Sequence, residues 1–176
     1  LLCVGLDSDI TRIPEFLKHE PDPIFAFNKA IIDATAPFAA AFKPNLAFYE
    51  AQGTAGWQAL EKTMRYMPEN VLTIADAKRG DIGNTARQYA KAFFDHFKFD
   101  SVTVNPYLGL DSVAPFIERA EHGVFILCLT SNPSSGDFQH FSHEGRPLYQ
   151  FILEKVNTWN EKQNCGVVVG ATHPDE

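Results

Sequence analysis

The densest chemistry in this sequence is a nine-residue stretch, Ile74-Ala-Asp-Ala-Lys-Arg-Gly-Asp-Ile82. An acid, a base and a second acid follow one another at intervals of two and three residues. If the stretch is a β-strand its side chains alternate, so Asp76 and Lys78 share a face roughly 7 Å apart, and Asp81 follows where the chain turns toward a helix. Lys43, at the end of an earlier strand-like run, can approach the same region. The expected arrangement is a row of alternating charge, Lys43–Asp76–Lys78–Asp81. Buried charges persist when paired and hydrogen-bonded, and carboxylates on either side favour the ammonium form of Lys78. A lysine held as an acid suits protonation of a carbanion; Schiff-base chemistry needs a neutral amine. The plainer alternative is an ion-pair network that only braces the fold.

The elements that must position these groups are legible as apolar runs. Strand candidates are 2–6, 40–43, 71–75, 101–104, 124–129 and 167–169, and the first five lead into helix-like stretches. Ile24, Phe27, Ile31, Ala34 and Phe38 fall on one helical face, as do Leu148, Phe151, Ile152, Val156 and Trp159; Asp111 and Ser112 look like a helix start. Phe93, Phe94 and Phe97 also recur at helical spacing and are expected in the core. Near-continuous apolar strands alternating with helices predict a parallel sheet covered by helices. Two architectures fit, the (β/α)8 barrel and the open doubly wound sheet. No Gly-rich turn follows the first strand, which disfavours a dinucleotide fold. A barrel is therefore expected, as a single domain over residues 1–176 holding about the first six β/α units, with strands seven and eight missing. Asp7, Lys43, Asp76, Lys78, Asn105, Thr130 and Ser131 all lie at C-terminal strand ends, the edge where such folds bind ligands. The polar stretch 132–145 reads as a long loop or lid.

Composition narrows the partners. Across 176 residues the net charge is −7 and 45% of residues are hydrophobic. That balance argues against nucleic acid, and the apolar runs are too short to cross a membrane. A phosphorylated small molecule stays compatible, because local lysines and helix N-termini can hold one phosphate. Cys3, Cys128 and Cys165 form no metal or redox motif. Cys3 and Cys128 sit in apolar runs and are expected to be buried, in a reducing cytoplasm. His140, His143 and Glu144 have some of the spacing of metal ligands, but loop histidines are usually just solvated, and no metal is expected. Arg79-Gly80-Asp81 matches an adhesion tripeptide by coincidence.

At five strand–loop junctions the sequence resembles the orotidine 5'-monophosphate decarboxylases, most closely their bacterial second-type branch. The matching segments are Cys3-Val-Gly-Leu-Asp7, Phe42-Lys-Pro-Asn45, Asp76-Ala-Lys-Arg-Gly-Asp-Ile-Gly-Asn-Thr85, Val104-Asn-Pro106 and Leu129-Thr-Ser-Asn-Pro133. Related sugar-phosphate decarboxylases share the Asp-x-Lys-x-x-Asp core but tend to carry an acidic metal ligand where this chain has Lys43. The resemblance implies decarboxylation of orotidine 5'-monophosphate to uridine 5'-monophosphate without a cofactor. It makes Lys78 the proton donor, with Asp76 beside the departing carboxylate and Lys43 helping to hold Lys78. Asp7 and Lys43 are implied to bind the ribose hydroxyls and Ser131 the pyrimidine amide edge. Asp81 and Thr85 are implied to reach into a partner's site, which makes a homodimer the working unit. A sugar-phosphate decarboxylase or aldolase on the same barrel, and a non-catalytic nucleotide binder, stay open as alternatives.

Overall fold

A computed structural model describes residues 1–172 of the chain; residues 173–176, the end of the expected domain span, lie outside the described residues. Six strands are hydrogen-bonded in the order of their sequence: β1 (Cys3–Leu6), β2 (Ala41–Pro44), β3 (Leu72–Arg79), β4 (Ser101–Val104), β5 (Gly123–Leu129) and β6 (Cys165–Val169). The sheet is parallel, as the ladders β1/β2, β2/β3 and β5/β6 show. Helices intervene: α1 (Pro23–Thr35), α2 (Leu46–Glu50), α3 (Gly53–Tyr66), α4 (Gly83–Ala90), α5 (Leu110–Ile117) and α6 (Leu148–Trp159). No helix among the described residues is long and apolar enough to cross a membrane. The chain divides into two compact units, Leu1–Ala77 with Phe93–Ser101, and Lys78–Ala92 with Val102 onward.

In the first unit, Leu6, Ile32, Phe42 and Val71 form a core cluster beneath β1 and β2. Helix α1 starts where Asp22 accepts a hydrogen bond from the Phe25 amide at 3.2 Å, with Pro23 supplying a helix-compatible φ at the first position. Its buried stripe is Ile24, Asn28 and Ile32. The expected face therefore turns by about one residue: Ala34 is exposed, and Phe38 lies beyond the helix and is 74% exposed. A polar residue inside the stripe displaces the apolar pattern. Phe93 and Phe94 are buried as expected, and Phe97 is half-buried and stacks on Trp57 with ring centroids 5.5 Å apart. At the junction of β3 and β4, the Asp100 carboxylate accepts from the Thr73 amide at 2.8 Å and hydroxyl at 2.7 Å. The Asp100 amide donates back to that hydroxyl at 3.0 Å, a reciprocal clamp that fixes strand register.

The second unit is cored by Cys128, Leu129 and Tyr149, with Ile152 and Val167 against them. Helix α5 begins after Gly109, at φ 87°, one residue before the stretch opened by Asp111 and Ser112. The segment 132–145 is not a featureless loop. It holds a 3-10 turn at Pro133–Asp137, then a small hairpin pairing Ser142 and His143 with Pro147 and Arg146. Glu144 (φ 53°) and Gly145 (φ 77°) make its two-residue turn, and positive φ at both positions matches the twist of a tight hairpin. Cys128 is buried, whereas Cys3 is exposed, a correction to its expected burial. Strand alternation turns Cys3 to the face of β1 opposite the one on which Leu6 packs.

One close approach in the first unit is testable. A Cβ built on Gly56 of α3 falls 1.8 Å from the Tyr49 carbonyl oxygen of α2, a backbone atom that cannot swing aside. Gly56→Ala is expected to destabilise the protein by about 3 kcal/mol, lowering its melting temperature by roughly 10 °C in a calorimetric scan. A midpoint within about 2 °C of the parent contradicts this contact.

Candidate active site

In the first unit, Lys43 near the end of β2 donates to Asp76 Oδ2 at 3.2 Å. Asp76 is 9% exposed, and the Lys43 side chain is half-buried. The two strands that carry them are adjacent and parallel, and the bridge between Asn45 and Asp76 continues the ladder past the end of β2. Asn45 Nδ2 in turn donates to Asp7 Oδ2 at 3.3 Å, so the ends of β1, β2 and β3 are linked by side chains. Although Cys3 is exposed as a residue, partial desolvation of its sulfur pushes the thiol pKa up; the Lys43 ammonium opposes the shift and Asp76 adds to it, so Cys3 lies within the field of this pair.

Behind Asp7 stands a buried polar network that the sequence did not announce. Tyr49 Oη donates to the Leu6 carbonyl at 3.3 Å. Asn28 Nδ2 donates to Tyr49 Oη and to Thr63 Oγ1, each at 2.9 Å, while Asn28 Oδ1 accepts from the Ser8 hydroxyl. Ser8, Asn28, Tyr49 and Thr63 are all buried. Burial raises the Tyr49 pKa to about 12, which keeps its hydroxyl a neutral donor across the physiological range. The residues on both sides of Asp7 are thus pinned on the helix-covered face, and Asp7 itself is exposed on the other.

Lys78 opens the second unit, two positions after Asp76 on the same strand. It is exposed and takes φ 48°, in the left-handed region. The simple strand alternation that places Asp76 therefore does not place Lys78. A lysine in that region is strained by about 1–3 kcal/mol, and such strain concentrates at functional positions. The Lys78 amide donates to Thr103 Oγ1 on β4 at 2.9 Å, and the next carbonyl, of Arg79, accepts from the Asn105 amide at 2.7 Å. Gly80 follows with its ideal Cβ position 2.9 Å from the Asn105 carbonyl oxygen, so no side chain fits there without movement. Arg79 stacks over Tyr89 of α4, 5.3 Å from the ring centroid. Asp81 is half-buried and accepts from the Ile82 amide at 2.8 Å; Thr85, in the first turn of α4, is exposed.

At the end of β5, Ser131 is exposed. The preceding Thr130 is held by Gln139 from the segment after β5. Gln139 Oε1 accepts from the Thr130 amide at 2.7 Å, and Gln139 Nε2 donates to Thr130 Oγ1 at 2.8 Å. Gly170, just past β6, donates its amide to the Leu129 carbonyl at 2.7 Å, and a Cβ there would lie 2.9 Å from the Ser131 amide nitrogen. His140 packs edge-on against Tyr149, and His143 and Glu144 are exposed at the hairpin turn. A cavity of about 420 Å³ in this unit is lined largely by Pro106, Tyr107, Leu127, Phe138, Leu148 and Ile152.

Sequence reasoning singled out Asp7, Lys43, Asp76, Lys78, Asp81, Thr85 and Ser131. The first unit brings Asp7, Lys43 and Asp76 together with Asn45, and the second holds Lys78, Asp81, Thr85 and Ser131. It missed Thr103, Gln139 and the Asn28 network, whose partners are nine to 35 residues away in the chain. No local spacing signals such pairs.

The family model described as "Orotidine 5'-phosphate decarboxylase / HUMPS family" matches residues 1–176. An orotidine 5'-phosphate decarboxylase of Phocaeicola vulgatus is 56% identical over 175 residues, 97% of this chain and 64% of that protein. The solved Leishmania donovani OMP decarboxylase superimposes with a TM-score of 0.87 at 39% identity, covering 97% of this chain and 65% of that one. The Leishmania donovani UMP synthase gives 0.91 at 41% identity, covering 99% of this chain and 38% of that one. The chain thus spans just under two thirds of the curated relative's length. By sequence over its whole length and by fold, this chain belongs to the orotidine 5'-phosphate decarboxylase / HUMPS family.

Proposed function

We propose that the protein containing this chain decarboxylates orotidine 5'-monophosphate to uridine 5'-monophosphate, a step of pyrimidine nucleotide synthesis. The observation that carries this reading is the Lys43–Asp76 pair at 3.2 Å, set at the C-terminal strand edge two positions before Lys78. The names of the relatives support the same substrate.

The reaction explains why charge is the working material. Loss of carbon dioxide from C6 of the pyrimidine leaves an electron pair in the ring plane, orthogonal to the π system, so resonance cannot absorb it. Fixed charge aimed at the developing anion is the remaining means of stabilisation, and a preorganised, water-poor site makes it large. Lys78 supplies the ammonium and then the proton that replaces the carboxylate. Asp76 sits beside the leaving carboxylate and, with Lys43, holds the local field. Repulsion of the substrate carboxylate by Asp76 is at most a secondary contribution. Asp7 and Lys43 bind the ribose hydroxyls, and Ser131 bonds the amide edge of the base. Asp81 and Thr85 complete the site of a second copy in a homodimer. The chemistry as assigned uses no cofactor. The protein works in the cytoplasm, where Cys3, Cys128 and Cys165, none bonded to another, remain thiols.

The alternative within the family is a metal-dependent sugar-phosphate decarboxylase. Lys43 argues against it, because its ammonium lies against the Asp76 carboxylate where a divalent cation would compete for the same oxygens.

Three measurements test the assignment on the full-length protein. Lys78→Ala is expected to lower kcat on orotidine 5'-monophosphate by roughly three to four decades with the melting temperature unchanged, followed by loss of substrate absorbance. Near-parental turnover removes Lys78 from its role. Exhaustive dialysis against a chelator is expected to leave the rate as it was, whereas a metal-dependent enzyme loses it and regains it on adding magnesium. Mixing separately inactive Lys78→Ala and Asp81→Ala proteins under exchange conditions is expected to restore about a quarter of parental activity. Half the dimers are then mixed, and each has one intact site. No recovery argues that each copy completes its own site.

A further inference from the structure

The strained backbone at Lys78 has a specific holder. Thr103 lies inside β4, only 4% exposed, and its Oγ1 accepts the Lys78 amide at 2.9 Å. The chain is held again immediately downstream, where the Arg79 carbonyl accepts from the Asn105 amide and Gly80 crowds the Asn105 carbonyl. Lys78 therefore sits beside two anchors, Thr103 on β4 and Asn105 just past its end. The one on its own nitrogen fixes φ, the dihedral that lies at 48°. For an L-residue that value is uphill from the ordinary strand region, so the backbone relaxes if the hold is weakened. Relaxation of φ by tens of degrees rotates the Cα–Cβ bond, and a four-carbon side chain magnifies the rotation at its ammonium end.

We propose that Thr103 is a positioning residue for the decarboxylation: its hydroxyl holds the Lys78 amide and so sets the direction from which the lysine side chain departs. The proposal deepens the assignment of Lys78 as proton donor and rests on it. The proposed role places Thr103 behind the lysine backbone, not against the substrate. It acts only through the lysine backbone, which makes the expected signature kinetic and selective. Affinity for the nucleotide depends on other residues and stays, while the rate of the charged step falls.

The test uses the full-length protein with orotidine 5'-monophosphate as substrate and uridine 5'-monophosphate as a binding probe. Thr103→Val keeps the shape and removes the acceptor. It is expected to lower kcat roughly tenfold to a hundredfold, with KM and product affinity within about threefold. Thr103→Ser restores the hydroxyl and is expected to return kcat to within about threefold of the parent. Parental kcat in Thr103→Val overturns the proposal. So does a loss shared equally by kcat and product affinity, or one that Thr103→Ser fails to rescue, since those mark a general packing defect. If the valine does not fold, Thr103→Ala removes the same acceptor without adding a methyl and is judged by the same criteria. Failure of the underlying assignment looks different: the parent does not turn over the substrate, or Lys78→Ala leaves its rate unchanged.

Discussion

The proposed function rests on holding unlike charges close together at one edge of the sheet. The Lys43–Asp76 pair shows the constraint in its simplest form. At 3.2 Å its gross attraction is on the order of 5 kcal/mol at an effective dielectric near 20. Desolvation of two partly buried ions cancels much of that, so the pair does little for net stability. Its value in the proposed reaction lies elsewhere: a carboxylate and an ammonium at fixed positions keep a strong local field that no reorganisation has to create. The parallel sheet makes this possible. Adjacent parallel strands end at one edge, so residues 33 apart in sequence meet there without a loop of their own.

The sequence disclosed this edge because its chemistry is local. Asp76, Lys78 and Asp81 lie within six positions on one strand and its exit, and the apolar runs upstream give each strand an address. The same apolar signal failed where the site begins. Strand β3 was expected to end at Ala75 and runs on to Arg79, because Asp76, Lys78 and Arg79 are too polar for hydrophobicity to mark them as strand. The face of α1 was misplaced for a related reason: Asn28 sits in the buried stripe as a hydrogen-bonding hub, and a polar residue there looks like solvent-facing surface. Cys3 shows the opposite failure, an apolar-looking strand residue on a face that helices do not cover. The backbone of Lys78 could not be foreseen at all. No propensity favours positive φ at a lysine, and its amide and the next carbonyl are bonded to Thr103 on β4 and to Asn105 just beyond that strand, partners that no local pattern announces.

A common device links three of the strand ends, and it accounts for the residues that sequence reasoning missed. Asp7 is exposed, but the Leu6 carbonyl before it is held by Tyr49 and the Ser8 hydroxyl after it by Asn28. Lys78 is exposed, but its amide is held by Thr103 and the following carbonyl by Asn105. Ser131 is exposed, but Thr130 before it is gripped twice by Gln139, and Gly170 closes against its backbone. In each case the side chain proposed for binding or chemistry is left exposed while its flanking residues are fixed by hydrogen bonds or close packing. This division of labour matches what the proposed reaction needs. A binding group that must meet a charged substrate cannot itself be consumed in structural bonds, yet an error of about 1 Å in its position can cost a hundredfold in rate. Placing the restraint one bond or one residue away satisfies both demands. It also explains why the supporting residues carry no recognisable motif: a hydroxyl, an amide or a missing Cβ suffices, and its place in the sequence is set only by which element passes behind the strand end.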